Sequence, residues 1–187
     1  MKNLLLHICC APCSLHVWEK LSADYDLHGF FFNPNIQPRR EYEFRRRELE
    51  KVAAARTWPV HYGGYDSKGW RLAVRGLEQE PERGQRCPVC FRFRLEATFR
   101  HAQDAGFEAV ATTLSISPHK ITEQINVEGR RLADEYRLFF VAENFKKENG
   151  FVHSCRLSAE LGIRHQDYCG CRFSLAEKRR RRRSAAG

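Results

Sequence analysis

The chain has 187 residues, of which 42% are hydrophobic and 12% aromatic, and this composition excludes an intrinsically disordered protein. No apolar stretch approaches the roughly 20 residues that a membrane-spanning helix needs, and the apolar run at the N-terminus is too short for a signal peptide. We therefore expect a cytoplasmic protein that has no membrane partner.

The positive charge is concentrated near the C-terminus. The formal net charge is +9, and the run KRRRRR at residues 178–183 supplies six positive charges. Such a run is typical either of a nucleic-acid-binding segment or of a tail that only keeps a protein soluble. A second basic segment, PRREYEFRRRELEK, occupies residues 38–51. We expect residues 1–175 to form a single domain and residues 176–187 to form a disordered basic tail.

Strands and helices are predicted to alternate along the chain. Short apolar runs indicate buried strands, and Phe91, Leu95, Phe99 and Ala102 recur at the spacing of an amphipathic helix. In chain order the predicted elements are strand 3–8, helix 12–23, strand 26–32, helix 40–56, a short strand around Val60, helix 88–105, strand 108–114, helix 120–134 and strand 138–142. The glycines of YGGYDSKG at residues 62–69 predict a loop.

This alternation predicts the α/β class, with an open parallel sheet and crossover helices. Sheets of this kind bind ligands at the carboxyl ends of their strands. Several chemically useful residues follow predicted strands directly, namely Cys9, Cys10, Asn33, Thr112 and Thr113. The positions indicate a functional site rather than packing alone.

Two cysteine groups are candidates for one metal site. Cys9, Cys10 and Cys13 surround the start of the first helix, and Cys87 and Cys90 open another helix with the spacing C-x-x-C. Helix N-termini stabilise thiolates, and four thiolates suit either tetrahedral zinc or a [4Fe–4S] cluster. Spacing alone does not separate these metals. Because one group follows the first strand of a sheet instead of lying in a small separate module, we favour iron–sulfur over structural zinc.

Cys169 and Cys171 flank a single glycine. A disulfide between residues i and i+2 closes a very small ring, is far from relaxed and is easily reduced. The pair therefore favours a redox couple that cycles, and a second metal-binding pair is the alternative. Cys155 belongs to no such group and is expected to be a core thiol.

Five ordered segments of the chain resemble the epoxyqueuosine reductase QueH family. They are HICCAPCS at 7–14, FFNPNIQPRREYEFR at 31–45, RCPVCFRFRLEATF at 86–99, FEAVATTLSISPHK at 107–120 and LSAELGIRHQDYCGC at 157–171. The resemblance implies a Rossmann-like fold related to the adenine-nucleotide α-hydrolases. Cysteines stand where those proteins have a Ser–Gly–Gly phosphate loop, so ATP binding is not expected.

The resemblance also implies a reaction, namely reduction of the epoxide of epoxyqueuosine in tRNA to queuosine at the wobble position of the anticodon. It implies that Cys9, Cys10, Cys87 and Cys90 bind a [4Fe–4S] cluster. Cys169 and Cys171 are implied to be the redox-active catalytic pair, through which electrons enter from a donor that the sequence does not identify. An additional iron is compatible with the family, with Cys13 as its natural ligand, although some relatives carry Asp at that position.

Candidate proton donors to the epoxide oxygen are Tyr42, His119 and Tyr168, although a packing role is the alternative for each tyrosine. His7 is expected to be a hydrogen-bonded core histidine. Residues 45–47, all arginine, form either a solvated helix face or a contact to tRNA phosphate. Two other functions stay open: a zinc-stabilised RNA-binding protein without catalysis, and an iron–sulfur tRNA thiolation enzyme.

Overall fold

The fold was analysed in a computed structural model, which describes residues 1–185. Five strands alternate with seven α-helices in this part of the chain. The strands are β1 Lys2–His7, β2 Tyr25–Phe31, β3 Val60–Tyr62, β4 Ala109–Thr112 and β5 Phe139–Phe140. The helices are α1 Ala11–Leu21, α2 Arg39–Arg56, α3 Ser67–Ala73, α4 Arg86–Asp104, α5 Thr122–Tyr136, α6 Gly150–Glu160 and α7 Arg172–Ser184.

The five strands form one parallel sheet in the order β3-β2-β1-β4-β5. Strand β1 lies at the centre, with Leu4 paired to Leu27 of β2 on one side and to Ala109 of β4 on the other. The chain winds outward from β1 in both directions, so the strand order reverses between β1 and β4. Crevices at such a reversal, outside the carboxyl ends of the strands, are where open α/β sheets bind ligands. The predicted α/β, Rossmann-like class is confirmed.

The core explains why these segments fold as they do. Strand β1 is a continuous apolar run whose residues Leu4, Leu5 and Leu6 are fully buried, as expected for a strand covered on both faces. On α4 the predicted apolar stripe is confirmed, since its members are all buried in the same core. The predicted strand and helix boundaries agree with the structure to within about two residues for most elements.

Two elements differ from the sequence expectations. The predicted loop at 62–69 contains the start of α3, which Asp66 caps by accepting a hydrogen bond from the Gly69 N–H at 2.8 Å. The predicted strand 108–114 ends at Thr112, where a short 3₁₀ helix, Thr113–Ile116, begins. The side chain of Thr112 caps that turn by accepting from the Leu114 N–H.

The C-terminal segment also differs from its expectation. The sequence predicts that the domain ends at residue 175 and that residues 176–187 lack fixed structure. In the structure, helix α7 runs from Arg172 to Ser184 and so crosses the predicted domain boundary. Ion pairs across the helix surface account for this: Asp167 pairs with Lys178 and Arg182, and Glu177 pairs with Arg181. Residues 186 and 187 lie outside the described part of the chain. In residues 1–185, no helix has the length and apolar character needed to cross a membrane.

Candidate metal and dithiol site

Three thiols converge where β1 runs into α1. The sulfur atoms of Cys9, Cys10 and Cys13 lie within 4.8 Å of one another, and all three residues are buried. Cys10 is the N-cap of α1 and Cys13 lies in its first turn, so the free N–H groups of the helix end point toward the cluster. Sequence analysis left the place of Cys13 open, and the structure puts its thiol in the cluster.

Thr113 connects this cluster to β4 across the reversal in strand order. Its hydroxyl accepts a hydrogen bond from the Cys9 backbone N–H at 3.0 Å and donates to Cys9 Sγ at 3.2 Å. The thiols of Cys10 and Cys13 direct hydrogen bonds at the Cys9 sulfur and hold the pKa of Cys9 well below its ordinary value. Hydrogen bonds with Cys10 and with Cys9, together with burial, raise the pKa of Cys13. Cys9 is therefore the sulfur of the three that ionises first.

Cys87 and Cys90 open α4 and form a second thiol group. Among residues 1–185 no further His, Cys, Asp or Glu joins the 4.8 Å cluster, so these two cysteines lie outside it. Cys87 Sγ accepts from the Arg83 backbone N–H at 3.3 Å, and Cys90 Sγ accepts from the indole N–H of the buried Trp70 at 3.2 Å. Both thiols therefore already receive the donors that a thiolate needs.

A buried arginine links the two cysteine groups. Arg94 lies one helical turn after Cys90 on α4, and it donates to the side-chain oxygen of Asn33 at the end of β2. The side-chain N–H of Asn33 in turn donates at 2.9 Å to the carbonyl oxygen of Ile8, the residue before Cys9. Burial raises the pKa of Cys90, and the guanidinium of Arg94 offsets part of this effect. Arg94 Nε is buried and has no hydrogen-bond partner in residues 1–185.

The Cys–Gly–Cys pair lies at the start of α7 with both cysteines as free thiols, their sulfur atoms 3.6 Å apart. Cys171 is the N-cap of α7, and its Sγ accepts from the Ser174 backbone N–H at 3.4 Å. The Ser174 hydroxyl accepts from the Cys169 N–H at 3.3 Å and donates to Glu82 at 3.2 Å. One serine thus fixes both cysteines.

The two thiols of this pair are not equivalent. Cys171 is 6% exposed, whereas Cys169 is less buried and lines a cavity. The hydrogen bond between the two thiols lowers the pKa of Cys169 well below its ordinary value, with a further contribution from the ammonium group of Lys120. The pKa of Cys171 is raised by that same hydrogen bond and by burial. Of the two thiols, Cys169 therefore has the lower pKa.

The loop before the pair is held by α2. Arg45, which is 3% exposed, donates to the carbonyl oxygens of Tyr168 at 3.3 Å and Cys169 at 3.4 Å, and it forms an ion pair with Glu41 at 2.8 Å. Gly170 has φ of +111°, and a Cβ there would come within 2.9 Å of Ile36. Of the two alternatives for Arg45, a solvated face and a tRNA contact, the structure supports neither: this arginine positions the dithiol loop.

One cavity joins the first cysteine cluster to the dithiol. Its lining includes Cys9, Cys10, Cys13, Lys120 and Cys169, and further lining residues include His119, Tyr168, His165 and Gln166. Burial alone would lower the pKa of Lys120, but the facing sulfur atoms of Cys9 and Cys169 leave that pKa raised. The cavity, here called the cysteine cavity, therefore has the ammonium group of Lys120 facing the sulfur atoms of Cys9 and Cys169.

The three candidate proton donors, Tyr42, Tyr168 and His119, differ in their contacts. Tyr42 is buried between the rings of Phe31 and Tyr65 and does not line the cysteine cavity, so it packs the core. Tyr168 lines the cavity, but its hydroxyl donates to the carbonyl oxygen of Gln37 at 3.1 Å. His119 lines the cavity, and burial with the nearby Lys120 lowers its pKa. The predicted core role of His7 is confirmed, since the side chain is fully buried and bonds Thr112 and the Phe32 carbonyl oxygen.

Comparison with known proteins decides the family. The family model described as epoxyqueuosine reductase QueH matches residues 4–177, which is nearly the whole chain. The chain belongs to the QueH family. A curated relative from Thermotoga maritima, named epoxyqueuosine reductase QueH, is 40% identical over 182 residues, covering 96% of this chain and 93% of the relative.

Other QueH relatives agree over similar lengths. The protein of that name from Acinetobacter baylyi is 39% identical, with 97% of this chain and 84% of the relative aligned. One from Streptococcus pyogenes is 36% identical, with 92% and 70% aligned. This QueH chain therefore aligns with its relatives through all of the cysteine groups described above, since the matched residues extend from 4 to 177.

Three site residues of this QueH chain were missed by sequence analysis. Arg94 follows Cys90 by four positions, so helical spacing alone places it on the face that carries the cysteine. Ser174 follows Cys171 by three positions, the spacing of an N-cap with its N3 residue. Lys120 follows the β4 segment but is brought to the thiols only by the 3₁₀ turn, and no local pattern would have identified it.

Proposed function

We propose that this chain is an epoxyqueuosine reductase that acts on tRNA, reducing the epoxide at the wobble nucleoside to give queuosine. Family membership supports the reaction class. The observation that carries the proposal is the cysteine cavity, where the thiolate-forming Cys169 faces the three-sulfur cluster of Cys9, Cys10 and Cys13. A redox-active thiol and a sulfur-rich metal site beside one cavity are what a reductive deoxygenation needs.

The residues fit an iron–sulfur cofactor by two criteria. The donors are cysteine thiols at buried helix N-termini, and thiolates are the ligands of [4Fe–4S] clusters. The unpartnered Nε of Arg94 beside Cys90 is a buried donor that an anionic sulfur centre would satisfy. We propose Cys9, Cys10, Cys87 and Cys90 as the cluster ligands, and Cys13 as the ligand of an additional iron. When bound, the cluster supplies one-electron transfer between the dithiol and the substrate.

The dithiol supplies the electrons and protons of the overall reaction. Formation of the Cys169–Cys171 disulfide releases two electrons and two protons. Both carbon–oxygen bonds of the epoxide break, a carbon–carbon double bond forms, and the oxygen leaves as water, which consumes the two electrons and two protons. Cys169 ionises first, and the Ser174 N–H stabilises the developing negative charge on Cys171 when the disulfide is reduced again.

The chain's own residues also supply charge and protons at the epoxide oxygen. Lys120 holds a positive charge in the cysteine cavity where that oxygen becomes negative. Neither cavity-lining candidate is singled out as the proton donor, because the Tyr168 hydroxyl is already committed to the Gln37 carbonyl oxygen and the lowered pKa of His119 favours its neutral form. The partners are a tRNA anticodon stem-loop and an electron donor that reduces the dithiol.

The test is an anaerobic assay on tRNA that carries epoxyqueuosine, read by nucleoside mass spectrometry, with iron, sulfide and zinc measured on the same sample. We expect brown protein, conversion to queuosine with a dithiol reductant, and loss of conversion in both Cys169→Ser and Cys171→Ser with the colour retained. The matched control is Cys155→Ser, since the Cys155 thiol contacts His165 at 3.4 Å and does not line the cysteine cavity.

The two alternative functions give different results in the same assay. Colourless protein with stoichiometric zinc and no conversion would favour the RNA-binding protein. Brown protein that leaves the epoxide intact but adds sulfur to tRNA in the presence of ATP would favour the thiolation enzyme. Full activity in both dithiol variants would refute the catalytic role of Cys169 and Cys171.

A further inference from the structure

A second cavity, of about 300 Å³, lies on the other side of the segment 165–168 from the cysteine cavity. His165, Gln166 and Tyr168 line both cavities. The second cavity, here called the basic cavity, is otherwise lined by charged groups from α2 and α7 and from the segment before Cys169. Because they share His165, Gln166 and Tyr168, the two cavities are neighbours.

The charges of the basic cavity do not balance. Its two carboxylates already have cations: Glu41 accepts from Arg45 and Arg164, each at 2.8 Å, and Asp167 pairs with Lys178 and Arg182. Arg40 and Arg179 line the same cavity, and neither forms an ion pair with any residue in 1–185. Two guanidinium groups therefore face the cavity without an anion.

We propose that the basic cavity binds a phosphodiester group of the RNA next to the target nucleotide, with Arg40 and Arg179 as its ligands. This inference rests on the proposed function, because that function brings the target nucleotide of an RNA to the mouth of the cysteine cavity, which neighbours the basic cavity. Guanidinium groups bind phosphate oxygens through two parallel hydrogen bonds, and both arginines are exposed and without an ion-pair partner in residues 1–185 that a phosphate would have to displace. The paired cations Arg164 and Lys178 fix the rim and leave the other two free to bind.

The proposal gives unequal roles to neighbours in the arginine run. Lys178 and Arg179 face the basic cavity, whereas Arg180 lines a different cavity with residues 78–81 and Arg181 pairs with Glu177. A diffuse electrostatic tail would not distinguish these positions, since the charges are adjacent and exposed. A phosphate site in the basic cavity instead predicts that Arg179 contributes more to RNA binding than Arg180 or Arg181 does.

The experiment measures binding of an unmodified anticodon stem-loop to the full chain as a function of salt concentration. For the R40A/R179A variant we expect weaker binding, and a slope of log K against log [salt] reduced by about one for each lost contact. The control R71A/R180A removes two exposed arginines that do not line the basic cavity and is expected to keep the wild-type slope. The R40K/R179K variant keeps the charge and is expected to recover most of the slope.

The outcomes separate this inference from the proposed function. Equal slopes in R40A/R179A and R71A/R180A would overturn the subsite, whether or not the protein reduces epoxyqueuosine. A wild-type protein without reductase activity whose RNA binding still depends on Arg40 and Arg179 would overturn the reductase and keep the subsite. Tight binding of AMP or inorganic phosphate that vanishes in R40A/R179A, with RNA binding unchanged, would assign the cavity to a free phosphate compound and overturn the inference.

Discussion

Arg45 donates a hydrogen bond to the carbonyl oxygen of Cys169 at 3.4 Å, and this contact joins residues that are 124 positions apart. The same guanidinium holds the carbonyl oxygen of Tyr168 and lies 5.0 Å from the centre of the Tyr168 ring. Helix α2 therefore positions the dithiol loop through Arg45. The ion pair with Glu41 fixes the Arg45 side chain in this orientation.

Replacing Arg45 with methionine is expected to destabilise the fold by about 1–3 kcal/mol, because the carbonyl oxygens of Tyr168 and Cys169 lose their donor and Glu41 keeps only its exposed partner Arg164. Urea unfolding of the metal-free protein measures this loss. The control is Arg46→Met, since Arg46 and Glu50 form an ion pair of the same spacing with both side chains about 40% exposed. That change should cost less than about 1 kcal/mol. Equal losses in the two variants would contradict the supporting role of Arg45.

The exposure of the two dithiol cysteines predicts unequal reactivity. In Cys171→Ser the remaining Cys169 thiol still faces the cysteine cavity and the ammonium group of Lys120, so it should react with a disulfide reagent on the order of tenfold faster than the buried Cys171 does in Cys169→Ser. Stopped-flow mixing with peptide mapping of the modified cysteine measures both rates. Faster reaction at Cys171 would reverse the assignment of the thiolate.

Ser174 is predicted to stabilise the dithiol loop through its hydroxyl. The change Ser174→Ala leaves the Cys169 N–H and the Glu82 carboxyl without that partner, and we expect a loss of about 1–3 kcal/mol. Urea unfolding measures it, with Ser22→Ala as control because the exposed Ser22 hydroxyl bonds only the Glu19 carbonyl oxygen. An unchanged unfolding midpoint in Ser174→Ala would show that the hydroxyl carries no stability.

The lowered pKa of the buried His7 is expected to make the free energy of unfolding depend on pH. Burial, together with the charge of Arg94, lowers the pKa of His7 from its ordinary 6.5 to about 3. The unfolded chain therefore binds a proton first as the pH falls, so the stabilising contribution is complete above pH 6.5 and is lost between pH 6.5 and 3. One such proton costs about 1.4 kcal/mol per pH unit in that window.

The variant His7→Gln removes this titration and keeps an amide that can bond Thr112 and the Phe32 carbonyl oxygen. The free energy of unfolding of the metal-free protein, measured from pH 4 to 6.5, should fall less steeply in the variant than in the wild type. Equal slopes of the unfolding free energy against pH in the two proteins would mean that folding does not lower the pKa of His7.

The sequence predicted features that depend on local pattern. The apolar run of β1, the helical stripe of α4 and the position of Cys9, Asn33 and Thr112 at strand ends all follow from neighbours in the chain. The parallel sheet followed from the alternation of elements, and its strand order brought those residues together.

What the sequence could not predict depends on contacts between distant segments. Arg45 reads as part of a charged helix face, and only the packing of the 168–170 loop against α2 shows that it is buried. The helical C-terminus could not be predicted from a run of like charges, because the carboxylate of Asp167 that stabilises it is outside the run. The inclusion of Cys13 with Cys9 and Cys10 also needed the turn of α1 to be seen.

Helix α7 begins at the buried sulfur of Cys171 and continues without interruption into the arginine run. Its 13 residues make a rod about 20 Å long. The Cys171 sulfur and the arginine run therefore belong to one continuous element, and the helix itself sets the distance between them.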